Sequence, residues 1–183
     1  MSGILGISGS LRRGSFNTAL LNAAKEILPG TIRVGDIHGI PLYDGDLESA
    51  GMPEAVTKLQ LQLAEASGLL LASPEYNNSM PGVLKNAIDW LSRPSGELRH
   101  VFRDKPVAVI GASPGAWGSL LAQTSWLTVF RSLGARHWAG GRLLVPSAHH
   151  AFDEHGKLFD DEVRGRLEKF VRDFAAYAGQ GSS

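Results

Sequence analysis

The feature that most limits what this chain can become is a rhythm. Short apolar runs, each closed by a glycine-, serine- or proline-rich turn, alternate with longer segments whose apolar residues recur at helical spacing. Residues 3–8 read as a buried strand, and residues 17–28 as a helix carrying Leu20, Leu21, Ala24, Ile27 and Leu28 on one stripe, stopped by Pro29-Gly30. Residues 31–37 give a second strand, followed by the loop Pro41-Leu42-Tyr43-Asp44-Gly45-Asp46. Pro53 opens a helix to about residue 66, with Val56, Leu59, Leu63 and Ala66 spaced for burial. Residues 68–73 are apolar on both faces, as central parallel strands are, and Pro81 starts a helix reaching Leu91. A fourth strand over 105–112 stops at Ser113-Pro114-Gly115 and is followed by a helix over 118–133. A fifth strand spans 135–144 with an interruption at Gly140-Gly141, then comes an irregular stretch over 145–160 and a closing helix over 160–178. Five β-then-α units predict an α/β fold, a doubly wound and mainly parallel sheet with helices on both faces.

At 183 residues the chain is expected to form a single domain over 1–178, with 179–183 as a disordered tail. Eighteen Lys+Arg balance eighteen Asp+Glu, so charge gives no reason to expect nucleic acid or a membrane surface as partner. No apolar run approaches the ~18 residues of a membrane span, and the N-terminus has no leader pattern. The absence of cysteine excludes disulfides, thiolate zinc sites and cysteine nucleophiles, and suits a cytoplasmic protein.

In a doubly wound sheet, ligands sit beyond the carboxyl ends of the strands, where strand order reverses. Three loops there carry unusual residues. The first, Gly9-Ser10-Leu11-Arg12-Arg13-Gly14-Ser15-Phe16-Asn17-Thr18, leads from strand to helix and is suited to an anionic phosphate. A helix N-terminus offers unpaired N–H groups, the serines add hydroxyl donors, and Arg12 or Arg13 adds a charged fork. It lacks the lysine of G-x-x-x-x-G-K-[ST], which argues against a nucleoside triphosphatase. Nor does Gly6-Ile7-Ser8-Gly9 match G-x-G-x-x-G, although Asp36 could stand for a ribose-binding acid. A tight strand-to-helix turn capped by Asn17 or Thr18 is the plainer reading of the same residues; the two arginines favour a single terminal phosphate.

The second loop, Ser73-Pro74-Glu75-Tyr76-Asn77, offers a rigid turn, an aromatic face and amides to a planar ring. Glu75 is equally readable as a general base or a solvated carboxylate. The third, Ser113-Pro114-Gly115-Ala116-Trp117-Gly118, is either a close approach to something flat or only a turn. His149, His150, Asp153 and His155 lack metal-ligand spacing and read as surface residues, and no metal site is expected. Trp126 and Trp138 read as core or a subunit contact.

On the blocks at 9–17 and at Ser73-Pro74-Glu75-Tyr76-Asn77-Asn78-Ser79-Met80-Pro81-Gly82-Val83-Leu84-Lys85-Asn86-Ala87-Ile88-Asp89-Trp90, with Pro41-Leu42-Tyr43 and Asp46-Leu47 in support, the sequence resembles the NADPH-dependent FMN reductase family. The resemblance implies a flavodoxin-like fold with five parallel strands in the order 2-1-3-4-5, and non-covalent FMN with NADPH or NADH as co-substrate. By motif position Ser10, Arg12, Gly14, Ser15, Phe16 and Asn17 would surround the FMN phosphate. Pro74, Glu75, Tyr76 and Asn77 would border the isoalloxazine ring, with Ser113 and Gly115 approaching from the other side. It also implies reducing equivalents passed to a small-molecule acceptor (quinone, azo compound, metal oxyanion or free flavin) and a homodimer or homotetramer with the 81–90 helix near the interface. No side chain is nominated as an indispensable catalytic acid or base. A flavodoxin-type electron carrier and a catalytically weak FMN-binding module are the alternatives; carriers tend to be strongly acidic, which this chain is not. Many members continue the third loop as S-P-G-x-x-G-G-x-R, whereas this chain has Ser119 and Leu121 at the second glycine and the arginine.

Overall fold

The computed structural model describes residues 3–93 and 101–180. Strand β1 (Ile4–Ser8) pairs in parallel with β2 (Ile32–Gly35) on one side and β3 (Gly68–Ala72) on the other. Beyond β3 lies β4 (Pro106–Ala112), and beyond that β5 (Arg136–His137). The order is therefore β2-β1-β3-β4-β5, the flavodoxin-like sequence expected, with β6 (Leu143–Val145) also parallel to β4.

β5 and β6 are one strand broken in the middle. Val107 faces His137 and Ile110 faces Leu143, so the fifth strand loops outward between them. The break falls where the glycine pair suggested it, and its cause is Trp138. Its indole packs edge-on against Phe170 with centroids 4.9 Å apart, and folds so closely over Gly140 that a Cβ there would lie 2.6 Å from Nε1.

The central strands are buried on both faces, and their alternate residues feed two cores. Ile4, Leu70, Ala72, Ala108 and Ile110 join Leu20, Leu21 and Ala24 of α1 (Phe16–Ile27) and Leu167, Phe170 and Phe174 of α6 (Asp161–Gly179). Leu5, Ile7, Leu69, Leu71, Val107 and Val109 point the other way, onto α3 (Glu54–Glu65), α4 (Gly82–Leu91) and α5 (Leu120–Leu133). Each fully buried leucine contributes roughly 1.5–3 kcal/mol over an exposed one. With both faces apolar, the alternation of side chains along each strand divides the residues between the two cores. Trp126 belongs to this second core, where its indole N–H donates to the Ser73 hydroxyl at 2.9 Å.

Several elements differ from the sequence reading; the second strand, expected over 31–37, spans only Ile32–Gly35. Helix α2 (Gly45–Ala50) occupies part of what the sequence presents as loop; it buries no side chain, so it has no apolar stripe, and Asp44 caps it by accepting from the Asp46 N–H at 2.9 Å. Helix α5 starts at Leu120 rather than at 118, because Gly118 and Ser119 both stand at positive φ. Helix α6 continues through Gly179, past the expected end of the domain, and residues 181–183 of the expected tail lie outside the described residues.

Candidate active site

The strand ends are flush where strand order reverses. Ser8 pairs with Ala72, and the Gly9 N–H donates to the Ala72 carbonyl at 2.8 Å, so the first and second loops leave the sheet side by side. Gly9 makes this possible. A Cβ there would come within 2.8 Å of Leu84, 2.9 Å of Pro74 and 3.1 Å of Pro81, and only glycine lets the two loops approach so closely.

The first loop ends in a built helix cap. Ser15 has extended backbone (φ −78°, ψ 123°), and its hydroxyl accepts the Thr18 N–H at 3.3 Å. The Thr18 hydroxyl in turn shares a 2.7 Å hydrogen bond with that of Ser8. By helix geometry the N–H groups of Phe16 and Asn17 have no intrahelical acceptor, and the first turn of α1 carries no carboxylate to offset its dipole. The Ser10 hydroxyl accepts the Arg12 N–H at 3.3 Å, and the exposed Arg12 guanidinium lies 5.8 Å from the centroid of the Phe16 ring, which places a cation at the mouth of the loop. Phe16 is itself backed by Phe152. Gly14 lies between the arginines and the cap, and Arg13 is exposed.

Asn17 does something else. It is buried, and its side-chain amide donates to the Ala112 carbonyl at 2.8 Å while accepting the Ala112 N–H at 3.0 Å. The side chain expected beside a phosphate is committed to the end of β4, and it joins the first loop to the third.

The second loop is a tight reversal. Tyr76 and Ser79 exchange both backbone hydrogen bonds at 3.0 Å, around Asn77 and Asn78 at φ 50° and 61°, a left-handed pair that asparagine tolerates. Pro74 is held against Gly9, and Tyr76 stands 48% exposed. Glu75 reaches across to α5, where one carboxylate oxygen accepts the N–H groups of Leu121 at 2.7 Å and Ala122 at 3.0 Å. This caps α5 and ties the second loop to the third; the general-base reading of Glu75 competes with a committed structural one.

The third loop is stitched to the segment after β6. The Ser113 N–H donates to Val145, the Ala148 N–H to Ser113 and the Ser147 N–H to Gly115, all between 3.0 and 3.1 Å. Trp117 projects, 72% exposed, next to Gly118. Ser119 is buried yet left-handed, at φ 76°, where the family pattern has glycine. The sequence reading did not anticipate the partners of Asn17 and Glu75, which lie 95 and 46 residues away in the chain. A cavity of about 490 Å³ flanks the first loop, lined by Arg13, Gly14, Ser15 and Phe16 and by His149, Phe152 and His155. Among the described residues no group of three or more His, Cys, Asp or Glu side chains is placed to hold a metal ion.

A parallel sheet in this strand order, with the helix N-terminus of α1 open and without a carboxylate at the β1/β3 reversal, defines the flavodoxin-like class. The comparisons with known proteins then fix the family. The NADPH-dependent FMN reductase family matches residues 3–150, and the chain belongs to it. It is 44% identical over 168 residues, 91% of this chain and 89% of the other, to an NAD(P)H-dependent FMN reductase of Pseudomonas aeruginosa. It is 39% identical over 173 residues, 93% of each chain, to a 2-hydroxy-1,4-benzoquinone reductase of a Burkholderia species. Among solved structures, the flavoenzyme NAD(P)H:(acceptor) oxidoreductase FerB of Paracoccus denitrificans matches with a TM-score of 0.87 at 31% identity, over 98% of both chains. The protein is an FMN-dependent NAD(P)H oxidoreductase.

Proposed function

We propose that the loop from Ser10 to Phe16 holds the FMN phosphate, that the isoalloxazine lies between Pro74–Asn77 and Ser113–Gly118, and that the acceptor is a quinone. When bound, FMN supplies the hydride chemistry; the protein supplies position and electrostatics. The observation that carries the reading is the joining of all three loops on one rim: Gly9 against Pro74 and Pro81, Asn17 on Ala112, Glu75 on Leu121 and Ala122. In this reading Arg12, Ser10 and the Phe16 and Asn17 N–H groups receive the phosphate, and Asn17 acts through its backbone, its side chain serving to brace the rim.

The ring end supports an uncharged acceptor. From 113 to 122 there is no charged side chain, and the only charge from 73 to 81 is Glu75, turned onto the α5 backbone. Tyr76, Trp117 and Leu121 are exposed there instead. A planar apolar ring gains contact area from them, whereas a metal oxyanion finds no cation. The quinone reductases among the relatives support the same choice.

The reading extends to a cytoplasmic homo-oligomer, drawing on the NAD(P)H of the cell interior. The loop before α4 meets α5 at Met80, whose N–H donates to the Ser125 hydroxyl at 3.1 Å, and Val83 of α4 and Leu127 of α5 are exposed. No described helix is long and apolar enough to cross a membrane. The decisive experiment is anaerobic addition of NADPH to the FMN-loaded protein, followed by a benzoquinone and, separately, chromate. Bleaching of the flavin band, with rapid recovery by the quinone and slow recovery by chromate, is expected. A protein that gains no flavin spectrum with FMN refutes the reading.

A further inference from the structure

The loop after β2 touches the phosphate loop through one side chain, and the chemistry of that contact is specific. One Asp36 carboxylate oxygen accepts both the His38 N–H at 2.9 Å and the His38 ring Nδ1 at 2.6 Å. The other ring nitrogen, Nε2, lies 3.4 Å from the carbonyl oxygen of Leu11. A carboxylate and a carbonyl are both acceptors, so each ring nitrogen must carry a proton for both contacts to attract, and only the imidazolium has two N–H groups. In the neutral ring the proton stays on Nδ1 against the carboxylate, and the Nε2 lone pair then faces the Leu11 oxygen.

Leu11 lies between Ser10 and Arg12, and its carbonyl belongs to the same peptide unit as the Arg12 N–H. In a trans peptide the two point in opposite directions. Drawing the Leu11 oxygen outward to His38 therefore turns the Arg12 N–H inward, where it meets the Ser10 hydroxyl at 3.3 Å. The geometry points to protonated His38 as a positioning residue for the FMN phosphate loop, strapping Leu11 to Asp36 and fixing the Ser10–Arg12 turn that receives the phosphate.

This inference rests on the FMN reading of the loop and adds a residue that lies outside the motifs. The charged groups facing His38 are Asp36 on its own loop and Glu54 and Lys58 from α3 in the same groove; on the phosphate loop, Arg12 and Arg13 follow Leu11 in the chain. The hydrogen bond and charge of Asp36 hold the His38 imidazolium above the ordinary histidine range, with the Leu11 carbonyl adding in the same direction. Asp36 is lowered, first by the His38 backbone N–H and then by the His38 ring against the cost of partial burial. The sign follows. The strap is complete below the raised pKa of His38 and is lost as pH rises through it, so FMN affinity falls with rising pH. The FMN phosphate itself gains charge near pH ~6, which acts in the opposite direction and is common to every variant.

The test is FMN dissociation constants from flavin fluorescence quenching at about pH 5.5 to 8.5 for wild type, His38→Gln and His38→Ala, with riboflavin as control. Because the side chain is solvent-exposed, the expected effect is an affinity ratio of wild type to His38→Gln of roughly three- to tenfold at the acid end, closing toward one at the alkaline end. A ratio that stays constant with pH, as a merely structural role would give, overturns the strap. Proton NMR of the ring gives an independent readout: FMN must raise the His38 pKa by the logarithm of that same factor, and an unmoved pKa overturns it too. Wild type that binds FMN with an unchanged His38 titration removes the strap and leaves the cofactor reading standing. Wild type that binds no FMN removes both.

Discussion

Two helix N-termini meet the same rim of the sheet, and they are finished differently. α1 is capped by the neutral hydroxyl of Ser15, has no acidic residue in its first turn, and opens beneath Arg12. α5 is closed by Glu75, whose carboxylate takes the Leu121 and Ala122 N–H groups and neutralises the dipole with a full charge. One end is left for an anion to complete, and the other is completed by the protein. In the proposed reading the contrast separates the two ends of the site, with phosphate at α1 and an uncharged ring and acceptor at α5. A helix N-terminus by itself says little; what decides is whether the chain has already supplied its counter-charge.

The sharpest way to break this contrast is through the brace beneath it. Asn17→Ala removes both hydrogen bonds to a buried peptide and strands the Ala112 N–H and carbonyl, so a stability loss of about 2–4 kcal/mol is expected. Chemical denaturation reads it directly, and a loss under ~1 kcal/mol would mean that the two loops are not joined this way. Next comes Arg12→Ala. Arg12 is exposed and lies over Phe16 at the end of its own loop, so FMN affinity should fall roughly 5- to 30-fold with stability unchanged within ~0.5 kcal/mol. Equal FMN binding by the variant in a fluorescence titration would take Arg12 out of the site.

Glu75→Gln probes the other terminus. The amide oxygen can still accept but the charge is gone, and a loss of about 1 kcal/mol in stability is expected, with FMN affinity within ~3-fold of wild type. A large gain in FMN affinity would show that phosphate prefers the α5 end once its counter-charge is removed, contradicting the assignment. The smallest effect belongs to Ser119→Gly. Serine at φ 76° is strained by roughly 1 kcal/mol, part of which glycine returns as unfolded-state entropy, so a gain of about 0.5 kcal/mol is expected from thermal melts. A destabilised variant would mean that the 3.5 Å contact of Ser119 with Gln123 outweighs the strain.

What could be read in the sequence follows from which signals are local. The strand-and-helix rhythm gave a doubly wound parallel sheet, with Leu69, Leu70 and Leu71 apolar whichever face they meet, while the strand order came from the family resemblance. The first loop announced itself by glycines, hydroxyls and arginines in ten residues. Asn17 and Glu75 were named as site residues, but their work was hidden: their partners are backbone groups of distant segments, and a peptide N–H has no sequence signature. Ser119 was visible only as a departure from the family pattern; that it stands left-handed needs the backbone. α2 was missed because a short, wholly exposed helix has no burial to pattern its sequence. His38 carries no motif at all, and its role arises from the accident of a carboxylate on one side and a carbonyl on the other.

The claim that the open end of α1 is the phosphate site is tested most directly by comparing FMN with riboflavin, which lacks only the phosphate. Wild type should bind FMN far more tightly than riboflavin, and Arg12→Ala should shrink that gap while leaving riboflavin affinity where it was. Equal affinities for the two flavins in wild type, or a gap that survives the substitution intact, would contradict it.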